Sequence, residues 1–344
     1  MSKVLPALPL LLAFAAAAWL ARRAAEPGTW LYRADRPTPR SLHEAPVGRL
    51  GGLGILAGLA LAWAGCAWAG AAPPLSIAGG ALIVAAVSLV DDLRGLSPAA
   101  RLGGQTLAAL ALAAGGLAPE ALQLGEYTLG LAAGLGAVLL LAGTLWMTNL
   151  YNFMDGMDGL AGGMAVSGFG ALAVLAWQGG DRGFALLAAA PAAAAGGFLV
   201  WNFPRPRARV FMGDAGSATL GFLAAALSLW GRRLGLFPLW AAALAFSPFI
   251  VDASVTLARR ALRGEVLWQA HREHHYQRLA GLGLSHRRIV VRAYALMLAC
   301  AASAVGGVGR PTRDILWLLG AWALIYALIA WRVRLLERRR AGLS

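Results

Sequence analysis

The stretch LLLAGTLWMTNLYNFMDGMDGLAGGMAVSGFGALAVLAW, residues 139–177, decides the fold. Two apolar runs flank a polar centre, residues 149–163, in which two asparagines and two aspartates stand among glycines. An apolar run of about 20 residues is long enough to cross a bilayer as a helix. Carboxylates beside such runs are costly in lipid and often mark a functional site. The stretch therefore predicts two membrane spans whose junction carries chemistry.

The rest of the chain repeats this composition. It has 344 residues, of which 59% are hydrophobic and 13% charged, and its mean hydropathy is +0.64. A soluble domain carries about a quarter charged residues. We predict an all-α, polytopic integral membrane protein with one domain over residues 1–344. Hydropathy places about eleven transmembrane helices, near residues 4–21, 50–70, 75–90, 102–118, 128–148, 158–177, 183–201, 214–231, 236–257, 289–308 and 314–333.

The basic residues orient these spans. If the spans alternate sides, 24 of the 30 lysines and arginines lie on one face. The other six are Lys3, Arg182, Arg232, Arg233, Arg310 and Arg313. The positive-inside rule then makes the first face cytoplasmic, with the N-terminus outside and the C-terminus inside. The net charge of +14 is explained by short loops that meet anionic headgroups, so we expect no nucleic-acid partner.

Two smaller features bear on the setting of the chain. The first apolar run has its charge after it, at Arg22 and Arg23, which favours a retained anchor over a cleaved signal peptide. The two cysteines, Cys66 and Cys300, fall in different spans, so no disulfide framework or cysteine metal site is expected.

The positions of the acidic residues, asparagines and histidines along the chain distinguish between two classes of function. Those outside the short outer loops gather within about a turn of the cytoplasmic span ends, and no carboxylate falls at a predicted midplane. A secondary transporter binds its substrate near the midplane, whereas an interfacial enzyme gathers its chemistry at one face. The pattern favours the enzyme, with transport as the alternative. The residues concerned are Asp91, Asp92, Asn149, Asn152, Asp155, Asp158, Asn202, Asp214, Asp252, His271, His274 and His275.

The paired carboxylates are the first candidates for catalysis. Asp91 and Asp92 close a span, where negative charge opposes the helix dipole and favours a nearby cation or shared proton. Asn152, Asp155 and Asp158 follow each other at intervals of three, which predicts one helix face with hard oxygen ligands suited to Mg²⁺. A simple turn between two helices is the alternative reading of that block.

Two further blocks offer contacts for phosphate. VFMGDAGSATLGF places Asp214 between glycines at the start of a span, where an N-cap is the alternative role. WQAHREHHYQRL spaces His271, His274 and His275 for one helix face and adds Arg272. Phosphate binding fits that basic segment better than zinc, because no third ligand of a metallohydrolase motif accompanies the histidines. A basic surface helix is the alternative.

The chain contains, in this order, a basic loop, DD, N-x-x-D-G-x-D-G, F-x-G-D-x-G-S and a histidine-rich loop. This combination resembles the polyprenyl-phosphate N-acetylhexosamine-1-phosphate transferase family. The resemblance covers about residues 30–335. It implies transfer of a sugar-1-phosphate from a UDP-N-acetylhexosamine to undecaprenyl phosphate, release of UMP, and a Mg²⁺ cofactor with Mn²⁺ as an alternative. It also implies the bacterial inner membrane, a role in starting cell-envelope polysaccharides such as O-antigen, and a homodimer by analogy with the peptidoglycan relative.

The resemblance assigns roles by matching position. It implies catalytic roles for Asp91, Asp92, Asp155, Asp158, His271, His274 and His275, substrate contacts for Asn152, Phe211 and Arg272, and metal contacts for Asp214 and Asn152. Phe211 would pack against the uracil of the donor. UDP-N-acetylglucosamine is the expected donor, with UDP-N-acetylfucosamine as the alternative. The histidine segment lacks three consecutive histidines, which disfavours the MurNAc-pentapeptide donor. A one-step and a covalent mechanism both stay open, and His43 and Arg49 receive no role.

Overall fold

The computed structural model describes residues 7–35, 46–203, 207–266 and 271–341, and the apolar runs within them are helical. Thirteen helices are found in those residues: α1 Leu8–Ala25, α2 Gly52–Trp68, α3 Leu75–Arg94, α4 Pro98–Ala114, α5 Leu135–Met154, α6 Leu160–Gln178, α7 Arg182–Asn202, α8 Asp214–Arg233, α9 Leu239–Ala245, α10 Ser247–Leu262, α11 His275–Gly281, α12 His286–Gly307 and α13 Thr312–Ala341. The predicted all-α class is confirmed.

Two antiparallel hairpins interrupt the helices. Strand β1, Ala34–Asp35, pairs with β2, Val47–Gly48, and strand β3, Ala121–Leu124, pairs with β4, Tyr127–Gly130. The predicted span 128–148 is therefore wrong at its start, because its first residues belong to β4 and α5 begins at Leu135. Gly125, at the turn of the second hairpin, has φ +59°, a conformation that glycine adopts without steric cost.

Seven of the described helices are long and apolar enough to cross a membrane: α1, α3, α5, α6, α7, α12 and α13. Helices α9 and α10 form an eighth span if taken together, and they bend by 80° at their junction. A polytopic membrane protein is thereby confirmed. Eleven spans stay a prediction, since α2 has only 17 residues and α4 and α8 do not meet the same length and hydropathy test.

The most enclosed part of the bundle is formed by α6 and α8. In α6, 72% of the most apolar window is buried, whereas in α13 only 11% is. Almost every residue of α8 from Ala215 to Leu229 is buried. Small residues permit this, since a Cβ on Gly216 would lie 2.8 Å from the Cα of Gly52 on α2. The close approach brings the first loop and the start of α8 together.

Candidate active site

Asp92 joins the end of α3 to the beginning of α8. Its buried carboxylate accepts the backbone N–H groups of Asp214, at 3.2 Å, and Ala215, at 2.9 Å. Arg49 donates to the same carboxylate at 2.7 Å. The first N–H groups of a helix lack partners within the helix, and an acidic group there is favoured by the helix dipole. Asp92 thus caps α8 from another helix, a contact that also gives Arg49 a partner.

Asp91 forms hydrogen bonds with residues that follow it closely in the chain. It accepts the backbone N–H of Leu96 at 2.6 Å and a hydrogen bond from Arg101 at 3.1 Å. Arg101 also lies 3.6 Å from the carboxylate of Asp214. Asp91 therefore holds the turn between α3 and α4 and directs a guanidinium group toward the start of α8.

The block that carries Asn152, Asp155 and Asp158 does not form one helix face. Helix α5 ends at Met154, Asp155 caps it, and Asp158 lies in the loop before α6. The predicted shared helix face is wrong because α5 ends before Asp155 and α6 begins only after Gly159, whose φ is +80°. The alternative reading, a turn between helices, describes the backbone correctly.

Contacts from distant residues shape this α5–α6 loop. Asp158 accepts the backbone N–H of Ala208 at 2.9 Å. Asn202 accepts the N–H of Gly159 at 2.7 Å and donates to the carbonyl of Val210 at 2.8 Å. The loop is thus tied to the segment that leads into α8, and part of the Asp158 carboxylate serves this purpose.

Asp155 differs from the other carboxylates. It accepts no hydrogen bond from any of the described residues, whereas Asp91, Asp92 and Asp158 all do. Burial, and next the negative charges of Asp214, Asp92 and Asp158, raise the pKa of Asp155 well above its ordinary value. A cation placed beside Asp155 would relieve this repulsion.

The donor set fits a hard divalent cation. No three His, Cys, Asp or Glu side chains among the described residues form a ready metal cluster. Mg²⁺ seldom needs one, since it is usually held by one or two carboxylates, waters and substrate phosphates. The amide of Asn152 hydrogen-bonds the carboxylate of Asp214. Only its NH₂ can donate that bond, so its carbonyl oxygen stays available beside Asp214.

The histidines do not share a helix face either. His271 to Glu273 are not helical, and α11 starts only at His275, so that prediction is wrong. Asp252 on α10 is the reason, because its carboxylate accepts the backbone N–H of His275 at 3.0 and 3.1 Å and lies 3.0 Å from its Nδ1. His274 lies 3.5 Å away on the same carboxylate. Burial lowers the pKa of His271.

Asp252 is among the polar residues that the sequence places at the cytoplasmic span ends, but neither its spacing nor the resemblance gave it a role in the site. Its side chain is 11% exposed, and the other ring nitrogen of His275, Nε2, is buried without a hydrogen-bond partner among the described residues. The available signal was a single carboxylate within the apolar run SPFIVDASVTLA, residues 247–258. A carboxylate on Nδ1 sets the tautomer and orientation of an imidazole.

Tyr276 connects the histidine segment with the α5–α6 loop. It is buried, stacks on His274 with ring centroids 5.8 Å apart, and donates to the carbonyl of Phe153 at 3.4 Å. A Cβ on Gly156 would lie only 2.1 Å from the Tyr276 hydroxyl oxygen. The sequence-distant carboxylate and histidine blocks therefore adjoin, as one site requires.

An ion-pair network holds the other side of the histidine segment. The buried guanidinium of Arg260 lies 2.6 Å from Glu273 and 2.8 Å from Glu265. Arg278 pairs with Glu337 of α13, which fixes the short α11 to the last helix. The segment is thus held in place from α10 and from α13.

The roles of Phe211 and Arg272 stay predictions, as do those of the other predicted site residues. Phe211 donates its backbone N–H to Gly48 at 2.7 Å and accepts that of Gly51 at 2.9 Å, which places it beside the first loop. Arg272 is exposed on the histidine segment. His43 lies outside the described residues.

An apolar cavity of about 220 Å³ opens between α5, α8 and the α9–α10 bend. Met147, five residues before Asn152 on α5, lines it. Other lining residues are Leu139, Ala225, Leu239, Phe246 and Ile250. A polar cluster with an apolar cavity nearby suits a substrate that has both a charged head and a hydrocarbon tail.

Known proteins are similar in sequence to this chain. The profile described as glycosyl transferase family 4 matches residues 74–232. A probable undecaprenyl-phosphate N-acetylglucosaminyl 1-phosphate transferase of Bacillus subtilis is 31% identical over 79% of this chain and 76% of its own length. A decaprenyl-phosphate N-acetylglucosaminephosphotransferase of Mycobacterium tuberculosis is 30% identical over 88% and 82%, respectively.

A more distant similarity covers half of the chain. A phospho-N-acetylmuramoyl-pentapeptide-transferase of Geobacillus kaustophilus is 38% identical, over 47% of this chain and 48% of its own length. The match to the first two relatives extends across most of both proteins, and the profile spans the paired aspartates, the α5–α6 loop and the start of α8. The chain belongs to glycosyl transferase family 4.

Proposed function

We propose that this protein transfers N-acetylglucosamine-1-phosphate from UDP-N-acetylglucosamine to a polyprenyl phosphate, undecaprenyl phosphate in the first instance, and releases UMP. The observation that carries the proposal is the cluster of Asp155, Asp214 and Asn152 beside Arg101, with the apolar cavity nearby. The names of the relatives from Bacillus and Mycobacterium support the same reaction.

The reaction is a phosphoryl transfer between two phosphate-bearing substrates. An oxygen of the lipid phosphate attacks the phosphorus that carries the sugar, and the bond from that phosphorus to UMP breaks. A phosphate monoester has a second pKa of about 6, so the attacking group is largely dianionic at neutral pH. It needs no protein base, and catalysis is mainly alignment and charge neutralisation.

This requirement distributes roles among the site residues. Asp155 is the carboxylate that faces the reacting groups, whereas the hydrogen bonds of Asp91 and Asp92 make them positioning residues for Arg101 and the start of α8. A one-step displacement then fits better than an aspartyl intermediate. His275, which Asp252 orients, is the histidine that we assign to the diphosphate.

Asp214, Asp155 and the carbonyl oxygen of Asn152 would hold Mg²⁺, or Mn²⁺ as an alternative. When bound, the cation supplies neutralisation of the negative charge on the donor diphosphate. Arg101 and Arg49 add fixed positive charge on the same side. The apolar cavity would accept the first part of the polyprenyl chain.

We infer the sugar donor from the share of this chain that each relative covers. The N-acetylglucosamine transferases align over 79% and 88% of the chain, the pentapeptide transferase over 47%. UDP-N-acetylglucosamine is therefore the first donor to test and UDP-N-acetylfucosamine the second. We place the protein in the bacterial plasma membrane with the site on the cytoplasmic side, the N-terminus outside and the C-terminus inside, on the distribution of basic residues. A homodimer stays a prediction.

The test is UMP release by the purified protein in detergent with undecaprenyl phosphate, Mg²⁺ and a panel of UDP-N-acetylhexosamines. We expect UMP only when lipid and cation are both present, and from one preferred donor. Asp214→Asn should lose at least 100-fold in rate, whereas Asp314→Asn, an exposed residue paired with Arg313 in the first turn of α13, should match the parent. Folded protein that releases no UMP from any donor would refute the proposal.

A further inference from the structure

A second, larger cavity lined by described residues lies away from the candidate active site. It has a volume of about 870 Å³ and is bounded by the β3–β4 hairpin, the α8–α9 connection and the α12–α13 turn. Helix α5 begins just after that hairpin and ends at the active site. Its 20 residues span about 30 Å, one hydrocarbon thickness, so this cavity and the active site lie near opposite membrane surfaces. The cavity adjoins the smaller apolar cavity, with which it shares Leu239 and Ala243.

The walls of this outer cavity are largely apolar, with Leu122, Leu129, Phe237, Trp240 and Ile315 among the lining residues. On the hairpin, Tyr127 and Leu129 remain 72% and 67% exposed. An aromatic and an aliphatic side chain at the rim suit the zone where headgroups meet acyl chains. The cavity volume is within the range of small-molecule sites, about 300–1,000 Å³.

Two arginines give the cavity a positive charge. Arg232 donates to the carbonyl of Ala121 at 2.8 Å, and Arg310 donates to the carbonyl of Gly306 at 3.4 Å. Neither guanidinium forms an ion pair with a carboxylate of the described residues. Each therefore keeps several N–H donors and its full charge for another partner.

One acidic residue, Glu126, also lines the cavity and offsets part of this positive charge. Glu126 accepts the backbone N–H of Thr312 at 2.9 Å and the Thr312 hydroxyl, and these bonds lower the pKa of Glu126. Trp240 adds a donor, since its buried indole N–H has no acceptor among the described residues. The cavity thus combines apolar surface with hydrogen-bond donors and, with two arginines against one glutamate, a net positive charge.

We propose that the outer cavity binds an anionic phospholipid, with its phosphate between Arg232 and Arg310 and its first acyl carbons on the apolar wall. Arginine suits this partner because its planar group can donate two parallel hydrogen bonds to one phosphate. A soluble anion would bind the arginines but leave the apolar wall of the cavity exposed to water. A zwitterionic lipid such as phosphatidylcholine would bring its own cation beside the two arginines. The occupant is a lipid of the outer leaflet, distinct from the substrate of the opposite face.

The test is native mass spectrometry of the full chain, released from detergent with phosphatidylglycerol or phosphatidylcholine at equal concentration. A photoactivatable phosphatidylglycerol analogue then maps the site by peptide sequencing. We expect cross-links in residues 121–129, 232–243 or 308–315. The Arg232→Gln/Arg310→Gln variant should lose at least fivefold in cross-linking there, while Arg313→Gln, an exposed arginine of the same face, should be unchanged.

Arg310→Gln alone provides the second variant, because Arg310 is exposed and its removal keeps the Arg232–Ala121 bond. It should lose at least twofold in cross-linking with an unchanged melting temperature. Three results would overturn the proposal. These are equal cross-linking in wild type and both variants, equal retention of the two lipids at this site, or full displacement by inorganic phosphate at the concentration of the lipid.

Discussion

Replacement of Asp252 by asparagine tests the inferred role of His275 most directly. Asparagine has nearly the same shape but carries no charge. The carboxylate accepts both the backbone N–H and the Nδ1 of His275, each at about 3.0 Å, and its side chain is 11% exposed. The amide retains one acceptor oxygen, and its NH₂ group would face Nδ1 or the backbone N–H. The imidazole then loses the contact that fixes its tautomer.

The size of the effect follows from the lost contact. A hydrogen bond to a charged group contributes about 1.5–3 kcal/mol. At about 1.36 kcal/mol per factor of ten, the loss corresponds to roughly a 10- to 150-fold fall in kcat/KM. If His275 acts on the diphosphate during transfer, the fall should appear mainly in kcat, because binding of the lipid tail is untouched.

The assay is steady-state UMP release with lipid and donor varied separately. Thr256→Val is the matched control, because Thr256 donates to the same carboxylate at 3.2 Å while the charge of Asp252 stays in place. Asp252→Glu should restore part of the rate. Melting temperatures in the same detergent verify that each variant is folded.

Three outcomes would refute this reasoning. One is an unchanged kcat/KM in folded Asp252→Asn. Another is an equal loss in Asp252→Asn and Thr256→Val, which would mean that Asp252 matters only for the packing of α10. A rise in KM for the lipid without a change in kcat would also contradict a role in the transfer step.

The remaining predictions concern backbone proximity and pH. Gly156→Ala should lower kcat/KM at least tenfold, because its Cβ would lie 2.1 Å from the Tyr276 hydroxyl, whereas Gly170→Ala, with no atom within 4 Å, should be silent in the same assay. The hydrogen bonds from Thr312 lower the pKa of Glu126, so they stabilise the fold near neutral pH, and this stability should be lost as pH falls through the lowered pKa. Thr312→Val removes the hydroxyl but keeps the backbone N–H, so it should remove the hydroxyl's share of the acid dependence of the melting temperature, and an identical pH slope in both proteins would contradict it.

Much of the architecture was readable from sequence because membrane crossing is a local property. Twenty apolar residues need no distant partner to predict a span, and charge at one end of each span predicts a face. The turn at Asp155 and Asp158 was misread as a helix, since periodicity alone does not reveal where glycines end a helix. The strand that replaces the start of the predicted span 128–148 was missed for a similar reason, because its residues are as apolar as those of a helix.

The different hydrogen-bond partners of the carboxylates depend on the tertiary structure. Asp91 and Asp92 are identical neighbours in sequence, yet Asp92 receives N–H groups from residues more than 120 positions away and Asp91 receives Arg101. Helix packing determines which carboxylates have hydrogen-bond partners nearby and which one has none among the described residues. The sequence by itself determined a polytopic helical protein with polar side chains at one membrane face. The reason is that the free-energy cost of placing a side chain in lipid depends on that side chain and not on distant partners. Only the fold decided that Asp155 is left uncommitted and that Asp252 orients His275, because hydrogen bonds require partners to be close in space.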